Sequence, residues 1–175
     1  LLSNMNNYHR KNINKTSKIK NLKFQIINYE TKKNIIEEKF IEFKKYHLLS
    51  AGKMTRPNKT WEIMLKKIYD NEADLFYLEL DGKSVSFLYC AKLFDFAWGW
   101  TQVNLKKYES ISPRYFLEWQ AMRYYKVNHF HFYEIGERFY PQENFKLTAK
   151  DISISEFKEK YGADKYPKAT ITVEV

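Results

Sequence analysis

Several features that would suggest a secreted or membrane-spanning chain are missing from this sequence. Its 175 residues include one cysteine, Cys90, which excludes an internal disulfide framework and fits a reducing compartment. No hydrophobic run is long enough to span a bilayer, and the first twenty residues carry no apolar stretch typical of a signal peptide. We therefore expect a cytoplasmic protein, or one at the inner surface of the membrane.

Apolar and aromatic residues are plentiful. Hydrophobic residues make up 44% of the chain and aromatic residues 18%, which predicts a folded globular protein and not a disordered one. The length suits one domain with a full hydrophobic core. No internal repeat or interdomain linker is evident in the sequence.

Acidic residues are absent from the first part of the chain. Of the nine net positive charges, six lie in residues 1–23, which leaves +3 for the rest. This end is either a solvated leading helix or an arm whose residues 10–23 contact an anionic membrane, a phosphorylated substrate or RNA. We divide the chain into a basic N-terminal arm or helix, residues 1–20, and a single domain, residues 21–175.

Hydrophobic periodicity and turn residues predict the element order. Asp81-Gly82 indicates a tight hairpin, and Ser112-Pro113 indicates a helix that begins with a serine N-cap. Ser153 and Glu156 form a predicted capping box for a last helix that ends at Gly162. The predicted strands are residues 21–29, 73–80, 83–93, 96–103, 129–136 and 169–175; the predicted helices are residues 32–49, 60–70, 113–126 and one near 153–161.

This order predicts a mixed α/β (α+β) fold with a largely antiparallel sheet. Strand 96–103, helix 113–126 and strand 129–136 form one crossover unit, where the sheet becomes parallel. Ligands in such sheets bind beyond the carboxyl ends of strands, where neighbouring strands diverge. We therefore expect the functional site at this crossover.

Three motifs resemble those of a known family. They are "AGKMTRPNKTW" at residues 51–61, "ISPRYFLEWQAMRYYKVNHFHFYEIG" at residues 111–136 and "ISEFKEKYGA" at residues 154–163. Their order and spacing resemble the GNAT acyltransferase fold, and within it the Fem-type or acetyltransferase-6-like branch, over residues 21–175. Fem-type proteins often carry two such domains, so a second GNAT-like domain is a candidate partner.

The resemblance implies an N-acyltransferase that works by direct transfer. Its acyl-CoA or aminoacyl-tRNA would be a co-substrate, with no permanently bound cofactor. The acceptor would be an amine of a sugar, cell-wall or surface-glycan precursor. Two alternatives remain: a degenerate GNAT-like domain that only binds, and an RNA-binding module that uses the basic end.

The donor site is expected around the start of helix 113–126 and on strand 96–103. Lys106, Lys107, Ser112 and Arg114 surround a helix N-terminus, which favours phosphate, although the glycines usual there in GNAT proteins are missing. The three cations are equally well explained as surface charge. Gly99, with Thr101 on the same face, marks the strand along which GNAT proteins lay the donor; an ordinary sheet position explains Gly99 equally well.

Candidate groups for the chemistry lie near the end of the chain. Glu134 is placed to accept a proton at the end of its strand, or is a structural carboxylate. The resemblance places Lys158 at the donor site, where its charge would stabilise an oxyanion or bind phosphate. Tyr140 or Tyr133 would protonate the leaving group.

Two further sites follow from side-chain chemistry. Lys53 and Arg56 lie in the turn between the first two predicted helices, which in GNAT proteins cover the acceptor side. The resemblance therefore implies that these cations bind an anionic acceptor, and the alternative is that they stabilise the turn. His129 and His131 form a His-x-His pattern without further ligands at suitable spacing, so we expect packed or edge histidines and no metal. Cys90 has no neighbouring base and is expected to be a buried thiol.

Overall fold

The computed structural model describes residues 2–139 and 147–167. The helices are α1 Asn7–Thr16, α2 Lys33–Ala51, α3 Asn58–Tyr69, α4 Pro113–Val127 and α5 Ala149–Glu159; the strands are β1 Leu22–Ile27, β2 Ala73–Leu80, β3 Lys83–Leu93, β4 Phe96–Asn104 and β5 Phe132–Glu134. Two short 3-10 helices span Leu2–Asn4 and Lys106–Ile111.

The five strands form one sheet in the order β1-β2-β3-β4-β5. The first four are antiparallel, and β5 joins β4 in parallel through the α4 crossover, as the sequence predicted. Asp81 and Gly82 both have positive φ, 49° and 77°, as a tight turn between β2 and β3 requires.

Helices cover both faces of the sheet. On one face, α1, α4 and α5 pack over β2–β4 around Leu88, Cys90 and Tyr125. On the other, α2 and α3 bury Phe43 and Trp61 against the strands. The alternation of side chains along each strand supplies both cores, because neighbouring residues point to opposite faces.

The basic N-terminal segment forms a helix with one buried side. Met5, His9 and Ile13 are buried, and Met5 and Ile13 belong to the α4-side core. Asn6 caps α1 by accepting a hydrogen bond from the His9 amide. Lys11, Lys15, Lys18, Lys20 and Lys23 remain exposed. The basic charge is thus on the surface, while the apolar positions of the same segment lie in the core.

Ser112 occupies the predicted N-cap position of α4 but does not make the capping bond, and the predicted capping box of the last helix is wrong. Ser112 has φ 53° and makes no side-chain cap bond; its hydroxyl donates instead to Asn12 Oδ1 at 2.7 Å, because α1 packs beside this turn. Pro113 does occupy the first turn of α4. The last helix begins at Ala149, where Thr148 and Asp151 form the capping box that was predicted for Ser153 and Glu156.

The predicted strand 129–136 is shorter in the structure. His129 has φ 62°, and the Phe130 amide donates to the Tyr125 carbonyl as α4 ends, so only Phe132–Glu134 pair as β5. The predicted closing strand, residues 169–175, and the candidate Tyr140 lie outside the described residues. Within residues 2–139 and 147–167, no helix has the length and hydropathy needed to cross a membrane.

Candidate active site

Strands β4 and β5 diverge after three paired residues. The pairs are Phe96 with Phe132, Ala97 with Tyr133 and Trp98 with Glu134. Beyond Trp98, β4 continues to Asn104 and stays paired on its other side with β3 as far as Asn104. We call the space between residues 99–104 of β4 and residues 135–136 the β4–β5 gap. Along it, β4 presents backbone amides and carbonyls that β5 does not use.

A bulge in β4 lies at the mouth of this gap. Gly99 pairs with Cys90 and Thr101 with Tyr89, so Trp100 is the extra residue. A Cβ at Gly99 would lie 3.0 Å from the Tyr133 hydroxyl and 3.2 Å from Glu118 Oε1. Two polar side chains thus occupy the space that a side chain at residue 99 would fill, and the donor contact predicted for Gly99 stays a prediction.

Glu118 and Tyr133 form a buried pair beneath Gly99. The Tyr133 hydroxyl donates to Glu118 Oε1 at 2.6 Å and lies 3.6 Å from Cys90 Sγ. Burial raises the pKa of Glu118 from 4.5 to about 7, although the Tyr133 hydrogen bond and the Lys158 charge oppose that rise. Burial also raises the pKa of Tyr133 and of the Cys90 thiol well above their ordinary values. Cys90 is fully buried, as the sequence predicted.

Glu118 was missed by sequence reasoning. A usable signal existed, because Glu118 is on the apolar stripe of α4, three residues from Tyr115, four from Met122 and seven from Tyr125. All four side chains are buried. A carboxylate at such a position is costly in the ionised form, and this cost is the physical reason to suspect function.

Lys158 reaches the site from α5. Gly136, just after β5, has φ 119°, and a Cβ there would lie 2.1 Å from Lys158 Nζ. The lysine side chain therefore crosses the Gly136 backbone at the end of the gap. The Lys158 charge opposes the rise in the pKa of Glu118 that burial causes. The Lys158 amine thus lies at the end of the gap, and the donor-site role predicted for it stays a prediction.

Glu134 faces away from this cluster. It follows Tyr133 along β5 and so points to the opposite face of the sheet, the face on which Trp98 packs with α2 and α3. It is half-buried. The carboxyl group with a pKa near 7 is therefore Glu118 on the α4 side, and the role predicted for Glu134 stays a prediction.

Arg56 contacts β4 from the face that α2 and α3 cover. Its Nη2 donates to Thr101 Oγ1 at 2.7 Å, its Nη1 lies 2.6 Å from His47 Nε2, and its guanidinium packs on the Trp61 ring. Burial and the neighbouring Arg56 charge lower the pKa of His47, which favours the neutral imidazole. The structure thus joins Arg56 and Thr101, which the sequence had assigned to different substrates.

Lys53 lies next to an apolar cavity in the same region. The cavity has a volume of about 300 Å³, and Met54, Leu48 and Trp61 are among the residues that line it with Lys53. Lys53 is exposed. The cavity adjoins Arg56 through His47 and Trp61, so this side of β4 offers cations beside an apolar surface.

The cations predicted at the start of α4 are not gathered around one point. Lys106 and Lys107 are exposed on the 3-10 helix Lys106–Ile111, and Lys107 packs over the Tyr108 ring. Arg114 lies over the rings of Tyr115 and Phe157, at 4.9 and 4.4 Å. The first turn of α4 is nevertheless tied to β4, because Gln102 Nε2 donates to the Arg114 carbonyl at 3.0 Å. Phosphate binding there stays a prediction.

The histidines show no metal-binding arrangement. In the part of the chain that the structure describes, no group of three or more His, Cys, Asp or Glu side chains is placed to hold a metal ion. His131 instead contacts the Asp95 carboxylate on the surface.

Neither a protein-family model nor a curated protein sequence matches this chain. Solved structures do match its fold. FemX superposes with a TM-score of 0.71 at 11% identity, over 93% of this chain and 55% of FemX. An aminoglycoside acetyltransferase, meta-AAC0020 from an uncultured soil metagenomic sample, solved with sisomicin, gives 0.61 at 12% identity over 88% and 97% of the two chains.

A third match was solved with a bound analogue. The aminoglycoside acetyltransferase AAC(6')-Iy, solved with a bisubstrate analogue of CoA and acetylneamine, gives a TM-score of 0.56 at 10% identity, over 88% of this chain and 97% of that one. At these identities the similarity shows the fold alone. The chain has the GNAT-like fold that the sequence motifs predicted, and it spans about half the length of FemX.

Proposed function

We propose that this chain is an N-acyltransferase domain. It would move an acyl or aminoacyl group from acyl-CoA or aminoacyl-tRNA to an amine of a sugar, cell-wall or surface-glycan precursor. The observation that carries the proposal is the β4–β5 gap, with Gly99 at its mouth and Lys158 at its end. The fold shared with FemX and with aminoglycoside acetyltransferases supports the reaction class.

The gap suits a donor that carries an amide arm. An extended amide would pair with the backbone groups that β4 presents beyond Trp98, much as a further strand would. The acyl carbonyl would then lie along the β4 backbone next to Gly99, close to the Tyr133 and Glu118 oxygens that occupy the space left by the absent side chain. Lys158 would stabilise the oxyanion that forms when the amine attacks this carbonyl.

The acceptor would approach from the face that α2 and α3 cover. Arg56 and Lys53 supply positive charge there, and Thr101 brings Arg56 onto β4 two residues after Gly99. Amine attack forms the C–N bond, and the C–S or C–O bond to the donor breaks, so no covalent enzyme intermediate is needed. An anionic acceptor such as a phosphorylated sugar would match these cations.

The proposal also covers the partners of this chain and its location in the cell. The basic, exposed side of α1 and residues 18–23 would make weak contact with an anionic membrane or with RNA. A second GNAT-like domain would complete a protein of FemX length, since this chain spans 55% of FemX. We place the protein in the cytoplasm or at the inner membrane surface.

The test is calorimetric titration of acetyl-CoA into the wild type, Lys158→Ala and Lys160→Ala. Lys160 follows α5 and is exposed, so it is the matched control. We expect micromolar binding that Lys158→Ala weakens about tenfold and Lys160→Ala leaves unchanged. If acetyl-CoA gives no heat, aminoacyl-tRNA is titrated next. Binding of neither donor would contradict the proposal and favour a domain that only binds a partner.

A further inference from the structure

Glu118 is a carboxylic acid buried at the β4–β5 gap, and the structure has no need for its charge. Glu118 has 6% of its surface exposed and lies among the apolar side chains of α4. A glutamine or methionine of similar volume would fill this position at lower cost, because an ionised carboxylate loses its hydration there. The position of Glu118 against Gly99 therefore calls for a role in the chemistry.

We propose that Glu118 is the proton reservoir from which Tyr133 is resupplied when Tyr133 protonates the leaving atom of the acyl donor. The inference rests on the proposed function. Tyr133 would be the catalytic residue, because its hydroxyl would touch the leaving atom of the donor. Glu118 would act through Tyr133, as the residue that holds and returns the proton.

The geometry of the β4–β5 gap indicates whether Tyr133 and Glu118 act on the donor or on the acceptor. Tyr133 and Glu118 lie on the α4 side of the sheet, directly against Gly99, where the donor would lie. Arg56, Thr101 and the cavity beside Lys53 lie on the opposite side, where the acceptor would enter. A proton on the α4 side is thus closest to the donor and its departing sulfur or oxygen, and not to the attacking amine.

The proton transfers balance. The amine nitrogen forms a bond to the acyl carbon and the bond from that carbon to sulfur or oxygen breaks. Tyr133 turns its hydroxyl proton from Glu118 to the departing atom and gives it to that atom. It takes the proton of neutral Glu118 across their 2.6 Å contact, so the hydrogen bond between the two groups reverses its direction during the transfer. The amine releases one proton to solvent, and Glu118 regains one from solvent before the next turnover.

The electrostatic surroundings fit this direction of transfer. Burial raises the pKa of Glu118 to about 7, so a large fraction is neutral near neutral pH and can donate. Burial raises the pKa of Tyr133 well above its usual value, so transfer to the leaving atom and transfer from Glu118 would be concerted. The titratable groups that face Glu118 are Tyr133 from β5, Cys90 from β3, Lys158 from α5 and Tyr161 from the turn after α5.

Turnover with acetyl-CoA and an amino sugar is measured from pH 5.5 to 9 for the wild type and Glu118→Gln. In the wild type we expect kcat to decline as pH rises through about 7, because Glu118 loses its proton. This decline has the opposite sign to the ionisation of the acceptor amine, which raises the rate with pH. Glu118→Gln should lower kcat about 100-fold, abolish the decline and leave acetyl-CoA affinity within about threefold of the wild type.

Two variants complete the design. Tyr133→Phe keeps the ring and interrupts the relay, so kcat should fall about 100-fold even if Glu118→Gln did not fold. Glu62→Gln, at an exposed position of α3, is the control for removing a carboxylate. A wild type without the decline, or a Glu118→Gln or Tyr133→Phe variant with wild-type kcat and profile, would overturn the inference. An inactive wild type that binds no donor would instead refute the proposed function.

Discussion

At the scale of single residues, two glycines make the site possible. Gly99 leaves room for the Tyr133 and Glu118 oxygens, and Gly136 leaves room for the Lys158 amine. The two cases differ in backbone geometry. Only Gly136 has a positive φ, 119°, which a side chain would strain in addition to the clash.

Gly136→Ala should therefore remove the Lys158 contact. Its Cβ would lie 2.1 Å from Lys158 Nζ, so the lysine must move, and the backbone strain adds about 1–3 kcal/mol of lost stability. We expect weaker acetyl-CoA binding, measured by calorimetry, and a lower melting temperature. Gly82→Ala is the control, since Gly82 has φ 77° and open space around its Cα. If Gly136→Ala weakened donor binding no more than Gly82→Ala, the placement of Lys158 would not matter.

The buried carboxyl group of Glu118 should cost stability at alkaline pH. Its folded pKa, about 7, lies above the ordinary 4.5, so the folded state binds the extra proton. The stability present below pH 4.5 is thus lost as pH rises through 7, by about 3 kcal/mol in total. Glu118→Gln should be more stable than the wild type at pH 8 and similar at pH 4.5.

Urea unfolding at both pH values measures this difference. The Gln side chain keeps an acceptor for the Tyr133 hydroxyl and lacks the ionisation. If the stability of Glu118→Gln relative to the wild type were the same at pH 8 as at pH 4.5, the carboxyl group would not be held neutral by burial. If Glu118→Gln is more stable than the wild type at pH 8 and also has a lower kcat, the result would indicate that Glu118 is retained for activity.

At the scale of elements, α1 attaches to its neighbours through a histidine. The His9 ring is fully buried against the rings of Tyr115, Phe157 and Tyr161, with centroids 4.8, 5.0 and 4.5 Å away. Burial lowers its pKa to about 4, and the charges of Lys160 and Arg114 act in the same direction. The neutral ring therefore joins α1 to both α4 and α5.

Acid should loosen this junction. The folded pKa of His9 lies below the ordinary 6.5, so stability is complete above pH 6.5 and is lost as pH falls toward 4. His9→Phe should remove this part of the acid sensitivity, because phenylalanine fills the same site and does not titrate. Melting temperatures at pH 7 and pH 5 test the point. Between pH 7 and pH 5, the melting temperature of His9→Phe should fall by several degrees less than that of the wild type. An equal fall for both proteins would contradict the prediction.

Element boundaries depended on contacts that the sequence does not display. The hairpin strands β2 and β3 begin and end where alternation and Asp81-Gly82 predicted. β5 is three residues long because α4 ends with a turn at His129, whose backbone has φ 62°. Ser112 occupies the predicted N-cap position without the capping bond, because the partner that accepts from its hydroxyl, Asn12, lies one hundred residues away in the chain.

At the scale of the whole molecule, the N-terminal segment contributes to the core of the domain. Met5 and Ile13 are buried in the same cluster as Leu117 and Tyr161. The Asn6 amide donates to the Lys160 carbonyl, so the two ends of the described chain are tied together at 3.0 Å. The same N-terminal helix thus carries the exposed basic residues and contributes buried side chains to the core.

Deletion of residues 1–20 should destabilise the protein by about 5 kcal/mol or more, because the buried side chains of Met5, His9 and Ile13 would be lost. Circular dichroism during thermal unfolding would show it. The matched control replaces Lys11, Lys18 and Lys20, which are exposed, with glutamine. That variant should melt like the wild type. A truncated chain that melted normally would show that the segment is a dispensable arm.

The sequence by itself determined the layout of this protein. Alternating and helical apolar periods, turn residues and the order of three motifs were enough for the sheet, the crossover and the GNAT-like fold, because these signals are local and repeat along the chain. They also pointed to Gly99, Arg56 and Lys158. Tertiary structure alone decided which groups meet. Glu118, Tyr133 and Lys158 come from α4, β5 and α5 and meet only in the folded chain. Burial of Glu118 there raises its pKa to about 7, against the opposing effects of Tyr133 and Lys158.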